Sequence, residues 1–187
     1  MYSVPHLSAG EILRSEVSRR TQLGRRIAGA LESGDLVDDA IVIPAILDEV
    51  GDGSRGFVLD GFPRTRGQAS AVDDWAISNG RPLHAAVELR VPRAELVTRL
   101  AMRAVQSSRS DDTERVIGHR LDAYREGIRE VLDYYSHAGI LLTVDGAGEV
   151  DTVTSRLRIR IDQVLADSEL RDPPTNHLDG LGPGTCG

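Results

Sequence analysis

The residues best placed to do chemistry lie in one stretch, Phe57-Val58-Leu59-Asp60-Gly61-Phe62-Pro63-Arg64-Thr65. An apolar run ends in a carboxylate, followed by a glycine turn, a proline and an arginine. In open α/β sheets, ligands bind beyond the carboxyl ends of strands, so this order puts Asp60 and Arg64 at the rim of a cleft. A guanidinium there can fork onto a phosphate, and a carboxylate can hold a water of a magnesium ion. The same residues also fit a solvated strand terminus with a surface ion pair. A second set of arginines follows. Arg99 and Arg103 are four apart and share one helix face. Arg109 sits in the polar loop Ser107-Ser108-Arg109-Ser110-Asp111-Asp112, and Arg120 comes on the next helix. Guanidinium groups converging from a helix, a loop and another helix could surround a phosphoryl group in transit, since that chemistry needs positioning and charge neutralisation rather than a nucleophilic side chain. Taken singly, arginines on helices lie solvated or in weak ion pairs.

Short β-branched runs alternate with longer amphipathic stretches, the pattern of an α/β fold with a mostly parallel sheet. Strands are expected over 3–7, 56–59, 85–91 and 140–144. Ser8-Ala9-Gly10-Glu11 has capping-box spacing, with Ser8 as N-cap and Glu11 reaching back, and opens a helix to Arg19. Further helices are expected over 23–33, stopped by Gly34, and over 40–50, with Asp38 and Asp39 complementing its dipole. Others follow over 66–79, 93–104, 112–137 and 150–165. Asp111 and Asp112 fit the negative charge favoured before a helix. From Glu169 onward Pro, Gly and Asp dominate without periodicity, so one domain is expected over 1–170 and a disordered tail over 171–187. No internal repeat is evident.

The 187 residues fit one medium domain, and 40% of them are hydrophobic, enough for a core. The formal net charge of −7 argues against a protein built to grip a nucleic-acid backbone, while leaving room for a small phosphorylated ligand bound by local arginines. The only cysteine is Cys186, so neither an internal disulfide nor a thiolate zinc site can form within one chain. The sequence contains no apolar run of membrane-spanning length and no signal-peptide layout, so no membrane association and a cytoplasmic location are expected. His6, His84, His119 and His137 show no ligand spacing, and Trp75 and the tyrosines read as core or helix-face residues.

The nonapeptide 57–65 resembles the signature of adenylate kinases, within the nucleoside monophosphate kinases, and the resemblance extends over roughly residues 2–165 in the family's order. Pro5-His6-Leu7-Ser8-Ala9-Gly10-Glu11-Ile12-Leu13-Arg14 is similar to the segment that opens the AMP-binding part, about 8–37. By that likeness Arg14 takes the AMP phosphate, and Ala9 and Gly10 let the backbone approach base and ribose. Many relatives have threonine at the position of Ala9 and aspartate at that of Glu11. Ser33-Gly34-Asp35-Leu36-Val37-Asp38 resembles the turn along the adenine ring, which implies contacts from Asp35, Leu36 and Val37. Gly61, Phe62 and Pro63 belong to the same AMP site, and Gln68 stands where the family reads the adenine edge with an amide. Kinases of UMP or CMP tend to carry asparagine at the position of Thr65, so AMP is the expected acceptor, with UMP/CMP kinase as an alternative.

Arg109-Ser110-Asp111-Asp112-Thr113, with His119-Arg120-Leu121 and Tyr124, resembles the lid of the short-lid bacterial type, about 104–113, which carries no zinc. The likeness implies that Arg109 and Arg120 reach both AMP and the migrating group, and that Arg99 and Arg103 act on the donor phosphates. In the family Asp111 and Asp112 also pair with lid arginines. Val144-Asp145-Gly146-Ala147-Gly148 resembles the place where a backbone carbonyl near Gly148 meets the adenine of ATP, although glycine turns after strands are common. Asp60 is expected to organise the water shell of the Mg2+ that accompanies ATP, with no direct protein ligand to the metal.

The resemblance thus implies a three-layer α/β/α fold of the P-loop nucleoside-phosphate-kinase type. It also implies reversible transfer, ATP + AMP to two ADP, in adenine-nucleotide homeostasis by a monomer. One family element is absent from the sequence: no Gly-x-x-x-x-Gly-Lys-[Ser/Thr] string, the loop whose amides and lysine cradle phosphates, occurs in the chain. In the family it follows a first, central strand that would precede Met1. The expectations are a sheet missing its middle strand, with two open strand edges and an uncovered apolar face, and weak or no turnover. An incomplete version of an ordinary adenylate kinase is favoured over a paralogue that retains only AMP or partner binding.

Overall fold

The computed structural model describes residues 2–51, 53–107 and 114–171, the side chains of some residues in the last three helices excepted. The described residues form, in order, β1 (His6–Ser8), α1 (Ala9–Ser18), α2 (Gln22–Ser33), α3 (Asp39–Val50), β2 (Val58–Asp60), α4 (Arg66–Ser78), β3 (Ala86–Arg90), α5 (Arg93–Ser107), α6 (Glu114–His137), β4 (Leu141–Asp145) and α7 (Val150–Arg171). The fold is α/β with parallel strand pairing, as the alternation in the sequence implies. No described helix is long and apolar enough to cross a membrane.

Local chemistry accounts for most boundaries. Thr21 caps α2 by accepting from the Gly24 amide, and Gly34 ends that helix with φ 80°, a left-handed conformation that costs glycine little. Asp38 caps α3 by accepting from the Ala40 amide at 2.8 Å, and Thr65 caps α4 by accepting from the Gln68 amide at 3.1 Å. The capping box at Ser8 is a correction. Ser8 occupies the N-cap position but makes no side-chain cap bond. It is also the last residue of β1, in register with Asp60, and the strand runs directly into the helix. The end of the last helix is a second correction: α7 continues through Glu169 to Arg171, past the expected stop at Leu165. Val164, Leu165 and Leu170 prolong the apolar periodicity, and the helix-breaking pair Pro173-Pro174 comes only after it. Residues 172–187 lie outside the described residues.

The expected single sheet is present as two parallel pairs, β1 with β2 and β3 with β4. In the first, His6, Leu7 and Ser8 face Val58, Leu59 and Asp60. In the second, Ala86 to Arg90 face Leu141 to Asp145. The Val58 amide donates to the Pro5 carbonyl, the Ala86 amide to the Ile140 carbonyl, and the Gly146 amide to the Arg90 carbonyl. Backbone groups alternate sides along a strand, so Ala86, Glu88 and Arg90 address β4. Val87 and Leu89 turn their amides and carbonyls to the other edge of β3, as Leu59 does on β2. No described strand pairs with either edge. Val58, Val87 and Leu89 are 49%, 41% and 48% exposed, high for apolar strand residues.

The core is correspondingly in two parts. One gathers Ala9, Leu13, Ile27, Val37, Val42, Ile46, Phe62 and Val72. The other joins Ala69 of α4 to Val131 and Tyr135 of α6, under the β3–β4 pair. Tyr134 fixes α6 to α4 by donating to Asp73 at 2.9 Å.

Candidate functional site

The Ser8–Asp60 register brings the carboxyl ends of β1 and β2 side by side, so the start of α1 and the Gly61–Thr65 turn flank one place. Two guanidinium groups lie there. Arg14, one turn into α1, folds back over Gly10: a Cβ at position 10 would meet both its terminal nitrogens at 3.1 Å. Gly10 therefore makes room for the arginine, a role besides the one expected of it. Arg64 curls over its own turn, its Nε donating to the Gly61 carbonyl at 2.7 Å. Gly61 has φ 72°, and a Cβ there would lie 3.2 Å from an Arg64 nitrogen.

Phe62 is buried and Pro63 half-buried, anchoring the turn in the first core. Ala9 and Val37 are buried, while Leu36 is 37% exposed beside Val37. Asp35 accepts from the Ser33 hydroxyl at 2.5 Å, and its amide donates to the Ala30 carbonyl. Asp60 projects from the end of β2 with its side chain 62% exposed, its Oδ2 3.5 Å from His6 Nε2. An exposed carboxylate at this rim fits a water-bridged approach to the magnesium of a bound nucleotide. Among the described residues no group of three or more His, Cys, Asp or Glu could ligate a metal directly.

Gln68 is more enclosed than a base-reading amide need be. It is 2% exposed. Its Oε1 accepts the Arg64 amide at 2.7 Å and its Nε2 donates to Asp39 Oδ1 at 2.7 Å. An amide has two N–H donors and two acceptor lone pairs, so one of each is committed inside the protein.

The β3–β4 pair presents its own carboxyl end, with Arg90 opposite Asp145. Arg99 reaches there from α5 and donates to the Gly148 carbonyl at 2.8 Å, and it also pairs with Glu95. Glu95 accepts from the Gly148 amide at 3.2 Å. Two residues singled out separately in the sequence, Arg99 and Gly148, are thus in contact. Arg156 closes the same loop, donating to the Ala147 carbonyl at 2.8 Å. Arg103 lies on α5 and Arg120 on α6, but their side chains lie outside the described ones. Arg109, and the 108–113 part of the expected lid, fall outside the described residues.

Two features escape a reading of the sequence. Gly127 of α6 sits against the Arg64 backbone: a Cβ there would come 2.6 Å from the Arg64 carbonyl oxygen. A lone glycine in a long helical run is a weak signal, though a glycine kept in a helix often marks close packing. Tyr124 is the second. Its hydroxyl proton is held more tightly than usual, first by partial burial and then by the charge of Glu88, with Arg64 pulling the other way. The lid likeness includes Tyr124 but gives it no part to play.

The sequence model of the family described as "Adenylate kinase" matches residues 1–140. An adenylate kinase of Xylella fastidiosa (strain M12) is 41% identical over 160 residues, covering 84% of this chain and 86% of that protein. One of Micrococcus luteus is 42% identical over 153 residues, 81% of this chain and 75% of that protein. One of Methylorubrum extorquens (strain PA1) is 41% identical over 169 residues, 86% and 84%.

Proposed function

Since the chain belongs to the adenylate kinase family, we propose that its β1–β2 end is an acceptor site for AMP in the reaction ATP + AMP to two ADP. The observation that carries this reading is the pair of guanidinium groups, Arg14 over Gly10 and Arg64 over Gly61, set at adjoining strand ends. Two arginines beside one turn suit a dianionic phosphate, which they can bind through charge-assisted, bidentate contacts. Leu36 and Val37 offer an apolar wall for a base, and Asp35, Ala9, Phe62 and Pro63 complete the surround. One donor and one acceptor of the Gln68 amide are uncommitted, and with that side chain 2% exposed they meet a nucleobase edge only if the surround opens on binding. The β3–β4 end, with Arg99, Arg103 and the Gly148 loop, is the donor side, where ATP arrives with its Mg2+. Asp60 would orient a water of that ion, with its exposed carboxylate at the rim. Arg109 and Arg120 complete the charge around the migrating group, and closure over 104–113 excludes water. The lid takes no zinc, and the enzyme works as a monomer in the cytoplasm.

With no Gly-x-x-x-x-Gly-Lys-[Ser/Thr] string in these 187 residues, the donor triphosphate lacks a cradle of backbone amides, and turnover by this chain is weak or absent. A coupled assay of ADP formation beside AMP titration by calorimetry tests both halves of the reading. AMP binding with little turnover is expected. Turnover at ordinary kinase rates would remove the missing loop from the argument, and an absence of AMP binding would remove the acceptor site.

A second reading draws on the open edges of β2 and β3. Exposed Val58, Val87 and Leu89 suit a binding module whose sheet a partner strand completes by β-augmentation. Restored turnover on adding a strand followed by a phosphate-cradling loop favours the enzyme; tight strand binding without turnover favours the module.

A further inference from the structure

We propose that Asp39 is a positioning residue of the acceptor site, locking the Arg64 turn to the helix that follows the base-side segment. The inference rests on the AMP reading of that site and adds to it a residue with no assigned part. Asp39 opens α3, separated from the Leu36-Val37 pair only by Asp38, and its half-buried carboxylate spans two partners, the N-cap and the first turn of α4. Oδ1 accepts from Gln68 Nε2 at 2.7 Å and Oδ2 from Thr65 Oγ1 at 2.8 Å. The chain of bonds continues, because Gln68 Oε1 accepts the backbone amide of Arg64 at 2.7 Å. One carboxylate therefore fixes the side chain that fixes the Arg64 backbone.

Three further features fit this role. Thr65, the second partner, is the N-cap of α4, so the carboxylate also lies near that helix's positive end. Position 67 has no side chain: a Cβ there would lie 3.0 Å from Asp39 Oδ2, so Gly67 lets the acid approach the first turn of α4. Hydrogen bonds to an ionised acceptor are stronger than neutral ones, and Gln68 is buried enough to keep water from competing. Charge at the start of α3 would be satisfied by Asp38, which already caps that helix. Asp39 instead points its carboxylate at α4.

The test compares the chain with its Asp39→Ala and Asp39→Asn variants by AMP calorimetry and by amide hydrogen exchange read by NMR. Asp39→Ala should raise the AMP Kd about tenfold or more and speed exchange at the Arg64 amide by a similar factor, locally over 61–68. Asp39→Asn should fall between, because the asparagine amide can still accept from Gln68 and donate to the Thr65 hydroxyl. Unchanged AMP affinity and unchanged Arg64 exchange in Asp39→Ala would overturn the proposal. So would faster exchange spread evenly over the molecule, which marks a general staple. If Asp39→Ala does not fold, Asp39→Asn carries both readouts alone. If the unaltered chain binds no AMP, the acceptor-site reading falls, and Arg64 exchange still decides whether Asp39 holds the turn.

Discussion

At the scale of single residues, the arginine proposed to bind phosphate and a buried hydroxyl have opposite expected sensitivities. Arg64 lies on its own turn with its guanidinium held at the Gly61 carbonyl, so under the proposed reading little rotamer freedom would be lost on binding a phosphate. In a form of the enzyme that turns over, Arg64→Ala should lower kcat/KM by about 10²–10³, the loss typical of removing one preorganised donor. An unchanged kcat/KM would take Arg64 out of the mechanism. Tyr135 is the contrary case. It is 3% exposed and its hydroxyl has no partner among the described residues. Burial, then Asp73 and Tyr134, raise its pKa so far that it stays protonated. Its neighbour Tyr134 donates to Asp73. An unpaired buried hydroxyl costs roughly 1–3 kcal/mol, whereas a made hydrogen bond contributes about 1. Urea unfolding should therefore show Tyr135→Phe equal to or more stable than the parent, and Tyr134→Phe less stable. A loss of more than about 1 kcal/mol in Tyr135→Phe would mean its hydroxyl has a partner after all.

At the scale of elements, some glycines inside helices mark close packing and others stand in open space. In α2, a Cβ at Gly24 would fall inside the Glu16 carbonyl of α1, whereas one at Gly29 would meet nothing within 4 Å. Gly29→Ala should therefore stabilise by up to about 1 kcal/mol through helix propensity, and Gly24→Ala should separate α1 from α2. Gly127→Ala tests the site directly. The new methyl would push α6 off the Arg64 carbonyl, costing about 1–3 kcal/mol of stability and weakening AMP binding with it. Equal thermal midpoints for Gly29→Ala and Gly127→Ala would contradict this packing. These contacts also explain what could be read in advance. Helices with local stop and start signals, such as the one between Thr21 and Gly34 or the one opened by Asp38, are written in adjacent residues. The Ser8 cap misled because strand pairing with Asp60, a partner far along the chain, decides the junction. The Asp39–Gln68 bond joins residues on different helices and leaves no local trace, so Asp39 reads only as helix-dipole charge. The Arg99–Gly148 contact was legible in part, since the family likeness named both residues for one ligand. Arg99 serving as a strut for that loop was not.

At the scale of the whole molecule, the division of strands into two pairs sets what the chain can do. A 13-residue helix, α4, carries the chain from β2 to β3, and helical crossovers of this kind join parallel strands of one sheet. Here the joined strands do not pair with each other. Each instead offers an edge that no described strand pairs with, bearing apolar side chains, the arrangement that invites another strand. Arg14 and Arg64 belong to the first pair and the Gly148 loop to the second, so under the proposed reading whatever spans the two edges also sets the distance over which phosphate would travel. Amide exchange reports whether those edges are paired, without any assay of turnover. Along β3, the amides of Glu88 and Arg90 address β4 and should exchange slowly, while those of Val87 and Leu89 should exchange fast. On β2, Leu59 should be fast and Asp60 slow. Leu89→Lys, which places a charge on an already exposed position, should leave the unfolding free energy within about 0.5 kcal/mol of the parent. Slow exchange at Val87 and Leu89, together with a large loss of stability in Leu89→Lys, would mean that a further strand already lies along β3 in solution, and the two pairs would then act as one sheet.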